Sequence, residues 1–402
     1  DDGNVNYEWV GDNNDGEPYV DTQNGFIKNT NAGLQYSNKW NEKQNLNVSP
    51  KFNKQIYTNN NSRLSQSQVG DTQLNVDEST VTNVNRSNFK LKAIYDVKLD
   101  SVNSLKITAN SNFYDTESDE FTNGTTTGSD GILKNKQQRA FTTNSDKAVL
   151  FTSVLFKHKF AKPRRTFTVN SSWNMMNTNS NNFLKSSNES YVNGVFDTKN
   201  EIDQNKIGDK TTKNFSASFS YSEPIAKQFS LQFSYQIAFD KGKNNYFTYD
   251  YSANTGQYDQ LVASLSNEFD QAIITHRPNL KLSYNAKKIN YSIGSGFGFT
   301  SFDLLDKTMN KEYKRSYTNF FPSASFSYKY KSNSNLRVNY YGRTIQPTLD
   351  QLQPLRNNQD FFNQTLGNPD LKQSFNNRIE IFQSSYDMLT ETQFYQGIYF
   401  NT

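Results

Sequence analysis

Few side chains in this 402-residue chain are of a type that could do chemistry, and their spacing assigns them none. The two histidines, His158 and His276, lie far apart in sequence, which argues against a His-based metal cluster. Cysteine is absent, so disulfides, thiolate nucleophiles and Cys-based zinc sites are excluded. The stretch Asp12-Asn-Asn-Asp-Gly16 has the composition of a calcium loop. With Gly16 at the sixth position of an EF-hand, however, Gly11 falls where the first Asp belongs and Thr22 where the bidentate Glu belongs, so a solvated loop is the expectation. Asp115, Glu117, Asp119 and Glu120 read as loop charges. No Gly-x-Ser-x-Gly elbow, Walker loop or His-Glu-x-x-His occurs. The sequence therefore predicts no catalytic residue, no cofactor-binding residue and no metal ligand, and the protein is expected not to be an enzyme.

The elements that hold these residues are strands. Phe215-Ser-Ala-Ser-Phe219-Ser-Tyr221 alternates apolar and polar positions, and the pattern resumes after a tight connection at 224–227 as Phe229-Ser-Leu231-Gln-Phe233-Ser-Tyr235-Gln-Ile237-Ala-Phe239. Period two places the aromatics on one face and Ser or Gln on the other. The second run is close to the roughly 9–11 residues with which a tilted strand crosses a bilayer. Similar pairs recur along the chain: 25–40 with 46–52, 89–99 with 105–109, 149–160 with 167–173, 280–284 with 289–293, 320–330 with 336–340, and 375–385 with 393–400. This predicts about fourteen strands in seven hairpins.

The connections alternate. Within each hairpin the turn is short, whereas 53–85, 115–145, 177–212, 240–271, 303–315 and 343–370 are long polar excursions, and 1–23 also reads as a loop. Short links at one end and long ones at the other predict a transmembrane, antiparallel up-and-down β-barrel with periplasmic turns and extracellular loops. A β-sandwich alternates in the same way, but its Greek-key links would mix lengths irregularly, and a propeller would show a blade repeat.

Composition agrees. Low hydropathy with 14% aromatic residues fits strands that are apolar on one side only, with a polar lumen and long loops. No apolar run is long enough for a spanning helix, and the acidic, polar start is not a signal peptide, so a secreted chain would be mature or trimmed here. A net charge of +4 from 43 basic and 39 acidic residues is too dispersed to indicate nucleic acid as a partner.

Three stretches carry a family resemblance. Gly25-Phe-Ile-Lys-Asn-Thr-Asn-Ala-Gly33-Leu-Gln-Tyr36-Ser-Asn-Lys-Trp40 resembles a Gly-initiated strand ending in Tyr-x-x-x-Trp. The segment 85–105 resembles a strand, Asp-Ser turn, strand unit. Tyr340-Tyr-Gly-Arg343-Thr-Ile-Gln-Pro347-Thr-Leu-Asp-Gln-Leu352-Gln-Pro354, followed by Gly367-Asn-Pro-Asp-Leu-Lys372, resembles the strand, Pro-x-x-x-Leu loop and Gly-Asn-Pro-x-Leu-Lys return of TonB-dependent receptor barrels. On these motifs the chain resembles the outer-membrane β-barrel family found beside TonB-dependent receptors in Bacteroidota-type bacteria.

The resemblance implies residence in the bacterial outer membrane and uptake or binding of an extracellular ligand. It also implies contact with membrane lipid, a plug domain or partner subunit in the lumen, TonB, and surface lipoproteins. The alternative is a structural or assembly subunit of an outer-membrane complex without a transport cycle. A barrel of this kind has about 22 strands, so residues 1–402 are expected to be an internal portion of one outer-membrane barrel domain, with the plug and terminal strands elsewhere. In the return motif, Gly367 is expected to take a positive φ and Leu371 to be the first apolar anchor of the next strand.

Overall fold

The computed structural model describes residues 25–69, 72–353, 356–358 and 365–402. The polar start, with its calcium-like stretch at 12–16, and Pro354 lie outside the described residues. In chain order the strands are β1 (Phe26–Gly33), β2 (Tyr36–Asn41), β3 (Gln44–Val69), β4 (Thr72–Lys98), β5 (Asn103–Gly128), β6 (Leu133–Lys159), β7 (Thr166–Val192), β8 (Val195–Pro224), β9 (Phe229–Ser252), β10 (Gln257–Leu261), β11 (Asn267–Asn285), β12 (Ile289–Asp306), β13 (Lys311–Lys331), β14 (Ser334–Ile345), β15 (Arg356–Asn357), β16 (Thr365–Leu366), β17 (Ser374–Asp387) and β18 (Thr392–Asn401). A single helical turn, α1 (Leu349–Leu352), follows β14.

Sixteen strands form one antiparallel sheet in which neighbours in sequence are neighbours in space. Its main path has fourteen strands from β1 to β18, with β2 and β10 as short additions. Among the described residues no second sheet packs on it to make a sandwich; the remaining pair, β15 with β16, is a two-residue ladder. Among the described residues β1 and β18 are the two edges and do not pair with each other. This is the wall of an up-and-down outer-membrane barrel.

The long excursions are not loops. Five of the six continue the strands on either side: β3 pairs with β4 from Gln44↔Val97 to Val69↔Thr72, and β7 with β8 from Thr166↔Ser222 to Val192↔Val195. Strands of 26, 27 and 30 residues are far longer than the ~9–11 needed to span lipid. They read as loops because both of their faces are polar, which erases the period-two signal. Beyond the bilayer the outer face meets water and the inner face is mostly polar, with buried residues such as Tyr57, Val84 and Leu184 among its side chains, and the backbone ladder continues the strand. The links at both ends are therefore short. At the tip of β7–β8, Asn193 (φ 52°) and Gly194 (φ 80°) are both left-handed, the two-residue hairpin geometry that Asn-Gly favours. Among the described residues, the segment that leaves the sheet for the inner face begins after Ile345 and ends before β17.

Each strand is zoned along its length. Near the short turns the outer face carries Trp40 against Tyr95, and Phe229, Tyr284 and Tyr291 in contact, with ring centroids 6.3, 4.9 and 4.9 Å apart. A second row follows the registers Phe52↔Phe89↔Phe113 and Trp173↔Phe215↔Phe239, all exposed. Between the rows the outer side chains are apolar, among them Phe219, Phe233, Leu280 and Ile293. Two aromatic girdles bounding an apolar band define the bilayer-facing zone. Beyond the upper row the outer face turns charged, with Asp115, Glu117, Asp119, Lys241 and Lys243 exposed. His276 sits mid-strand on β11, and its ring nitrogen meets the Tyr235 hydroxyl at 2.7 Å. His158 lies at the turn end of β6, its Nδ1 2.7 Å from Asn103 Oδ1.

The turns are tied by polar side chains. In the Asp-Ser turn, Asp100 Oδ1 accepts from the Val102 and Asn103 amides at 2.8 and 2.7 Å. The Asn103 side chain, followed by these two amides, holds the Asp100 carboxyl below its usual range. Two neighbouring turns are joined where Glu223 receives a bidentate pair from Arg165 (2.7 and 2.8 Å), with Lys162 at 2.6 Å and the Tyr221 hydroxyl at 2.7 Å. Arg165 first, then Lys162 and Tyr221, press the Glu223 carboxyl down to about 2.

The zoning gives a test of the faces. Phe233 points outward and is 51% exposed, whereas Gln232 faces the inner wall and donates to Ser220 Oγ at 3.4 Å. Phe233→Arg should cost about 2–4 kcal/mol in lipid-bilayer unfolding titrations and Gln232→Arg much less. Equal costs would show that the assignment of faces is wrong.

Candidate functional site

The segment after β14 turns inward and lies on the inner face of the wall, beyond the membrane zone. Its start is locally encoded. Thr348 caps α1: its hydroxyl accepts from the Gln351 amide at 3.3 Å while Gln351 Oε1 accepts from the Thr348 amide at 3.0 Å, a reciprocal capping box. Pro347 precedes the cap and removes a donor that the turn has no use for. The turn delivers Leu352, wholly buried, into a cluster of Phe269 and Ile273 on β11 and Phe302 and Leu304 on β12, with Tyr313 and Tyr317 alongside. Burying one leucine contributes about 1.5–3 kcal/mol. The apolar anchor is thus Leu352; Leu371, expected in that role, is 37% exposed.

Polar contacts flank the anchor. Asp350 pairs with Lys210 of β8 at 2.6 Å and accepts from Asn244 of β9 at 3.4 Å. Gln353, buried, accepts from Asn244 and donates to Asn267 Oδ1 at 3.1 Å. Asn358 accepts from Lys206 and donates to Gln204 Oε1 at 3.1 Å. Lys206 is 2% exposed and sits far up β8, well beyond the Phe215 row. Burial drives its ammonium down to about 8.

The far end is clamped as well. Arg315 of β13 donates to the carbonyls of Leu371 (2.7 Å) and Pro369 (2.5 Å) and meets Asp370 Oδ1 at 3.2 Å. The Gly367 requirement is steric and not conformational. Its φ is not in the left-handed region, and a Cβ there would overlap the Gln353 carbonyl oxygen. Close approach of two backbone segments, sealed by the Asn368 amide to Gln351 O at 2.7 Å, is what demands glycine.

The result is a strap held at both ends across the inner sides of β8, β9, β11, β12 and β13. The motifs of the strap are visible in the sequence; its receptors are not. Lys206, Lys210, Asn244 and Arg315 are polar residues in polar stretches, and only the sheet register brings them together. Among the described residues no three His, Cys, Asp or Glu side chains group as metal ligands. The arrangement offers donors, acceptors and one apolar socket.

A family model described as the outer membrane protein beta-barrel family matches residues 158–401. No curated protein sequence matches the chain. Among solved structures, the unliganded ferric citrate transporter FecA superposes with a TM-score of 0.48 at 9% identity, over 91% of this chain and 50% of that one. The translocator domain of the autotransporter NalP from Neisseria meningitidis gives 0.27 at 11% identity, over 75% of this chain and 82% of that one. The chain thus spans about half the length of the transporter it is similar to.

Two outcomes follow for the strap. Leu352→Ala should loosen its docking by about 2–5 kcal/mol, read as faster hydrogen exchange at 348–353 with the strands of the wall unchanged. Docking should also strengthen as pH rises from about 8 to 10.5. Over that window the undocked lysine binds more protons than the docked one, whose ammonium is destabilised by burial. By about 1.36 kcal/mol per unit the ceiling is roughly 3 kcal/mol. Lys206→Met should abolish the pH dependence in exchange rates corrected for intrinsic chemistry.

Proposed function

Because this chain belongs to the outer membrane protein beta-barrel family, we propose that it binds an extracellular ligand above the membrane and admits it to a barrel lumen, in the manner of a TonB-dependent receptor. The barrel lies in the outer membrane, with its apolar band against lipid. The observation that carries the proposal is the strap: a segment docked on the inner face, beyond the membrane zone, through one apolar anchor and several exchangeable polar contacts. A ligand that competes for Lys210, Asn244 or Arg315 would release the strap, coupling occupancy to passage.

The inner wall lower down is polar. Ser172 and Ser216 meet at 2.9 Å, and Gln232 reaches Ser220. Such positions can hydrogen-bond to a filling domain but cannot seal a wide lumen by apolar packing. A plug domain, from this protein or from a partner subunit, is therefore part of the proposal, with TonB and surface lipoproteins as its further partners. The proposed activity is binding and transport, not catalysis.

Planar-bilayer conductance of the protein purified from outer membranes tests this. The intact assembly should be nearly silent, and displacing the lumen filling with denaturant should open it reversibly. Bridging Lys210→Cys to Asp350→Cys with a short bismaleimide, which meets no native cysteine within residues 1–402, should then reduce the open conductance. Porin-like conductance in the intact assembly, unaffected by the bridge, would overturn the proposal.

A further inference from the structure

The inner wall carries a second constellation away from the strap, on the opposite flank of the sheet. Lys51 of β3 and Lys90 of β4 are direct cross-strand partners. Both point to the same face as the buried Tyr57 and Val84, which are themselves partners farther along the same two strands. Lys92 lies one inward position below Lys90, opposite Ser49. Like charges set directly opposite in a sheet are destabilising, and natural pairs are usually of opposite sign.

Nothing nearby offsets them. Their inward neighbours are amides: Asn31 opposite Asn53, Asn53 opposite Asn88, Asn112 opposite Lys90 and Asn110 opposite Lys92. Asp96, lower on the same face of β4, is already 3.9 Å from Lys106. Among the described residues neither Lys51, Lys90 nor Lys92 has a carboxylate partner. The lysines are not on a flat surface. Lys51 and Lys90 line a concavity of about 350 Å³ whose other walls are Asn31, Ala32, Gly33, Phe52, Asn53 and Asn88. A side chain at Gly33 would project toward the Lys51 stem, its Cβ 3.4 Å from Lys51 Cγ, and glycine leaves that space open.

We propose that Lys51 and Lys90, with Lys92 beside them, form an oxyanion-binding site on the lumen wall. It takes a carboxylate or phosphate group, with the asparagine amides hydrogen-bonding to the rest of the bound moiety. Two exposed lysines lining one concavity can supply charge-assisted donors, the chemistry that holds an oxyanion more strongly than neutral donors do. The group comes either from an anionic solute in the lumen or from an acidic side chain of the polypeptide that fills it. The site does not depend on the strap or on the transport reading.

The probe is inorganic phosphate, titrated into detergent-purified protein at low ionic strength and followed by phosphorus NMR, since exposed charges are screened by salt. Saturable binding should weaken about tenfold or more in Lys51→Gln/Lys90→Gln. It should persist in Lys51→Arg/Lys90→Arg and be unchanged in the outer-face control Lys241→Gln/Lys243→Gln. Heat-modifiable migration on gels confirms the fold of each variant, and the single Lys90→Gln stands in if the double variant fails to fold. In parallel, zero-length carbodiimide coupling on native outer membranes, read by mass spectrometry, reports whether Lys51 or Lys90 already touches a protein carboxylate. Lysine-dependent phosphate binding assigns the site to a solute, and a coupled Lys51 or Lys90 assigns it to an acidic segment. Neither result, or phosphate binding that ignores the substitutions, overturns the proposal.

Discussion

In lipid there is no water to satisfy a backbone amide or carbonyl, and this constraint governs the whole architecture. A chain that crosses many times without an apolar helix must pair every crossing with its neighbour, and antiparallel pairing of consecutive strands is the shortest way to do so. The registers from β3 through β9 and β11 to β14, whose shifts fall near strand ends at 126–127, 190–191 and 329–331, are that solution. Side chains are then free to answer to whatever each face meets: aromatic and aliphatic outside at membrane height, Ser, Asn and Gln inside, and charge on the part that stands in water.

The strap depends on this wall as a lock depends on its frame. Its binding partners come from five strands, and none would find the others without the ladder. Energetically the contact is modest. One buried leucine dominates, while a partly exposed pair such as Lys210–Asp350 adds at most about 1 kcal/mol. A segment held by so little can open on the microsecond-to-second scale of lids and local unfolding. Such a balance suits a part that has to move.

How much of this was legible varied with the physics of each zone. The runs at 215–221 and 229–239 announced their strands because one face met lipid and the other did not, and the fourteen strands of the main path were countable from such runs. The upper halves of the same strands were illegible: Asn177 to Thr212 is polar on both faces, and its one local signal, Asn193-Gly194, was the hairpin tip inside what read as a loop. The return motif is visible at Gly367, but the need for its glycine is not, because a backbone meeting a distant backbone leaves no trace in local sequence. The partners of the strap were invisible for the same reason. Lys206 looks like any solvated lysine until the register buries it beneath Asn358.

The continuation of the strands beyond the membrane has a consequence for how this surface can change over evolutionary time. A flexible loop accepts insertions and deletions of any length, but a paired ribbon does not. Removing one residue of β3 between Asn53 and Tyr57 exchanges the two faces of that strand beyond the deletion, turning Tyr57 out to solvent and its neighbours in. Length variation is therefore confined to the tips, such as 193–194 and 253–256, or must occur in compensating pairs on both strands. The exterior of this protein is free to diversify by substitution and is rigid in length, so antibodies or phages that recognise it would be escaped by changes of side chain and not by changes of shape.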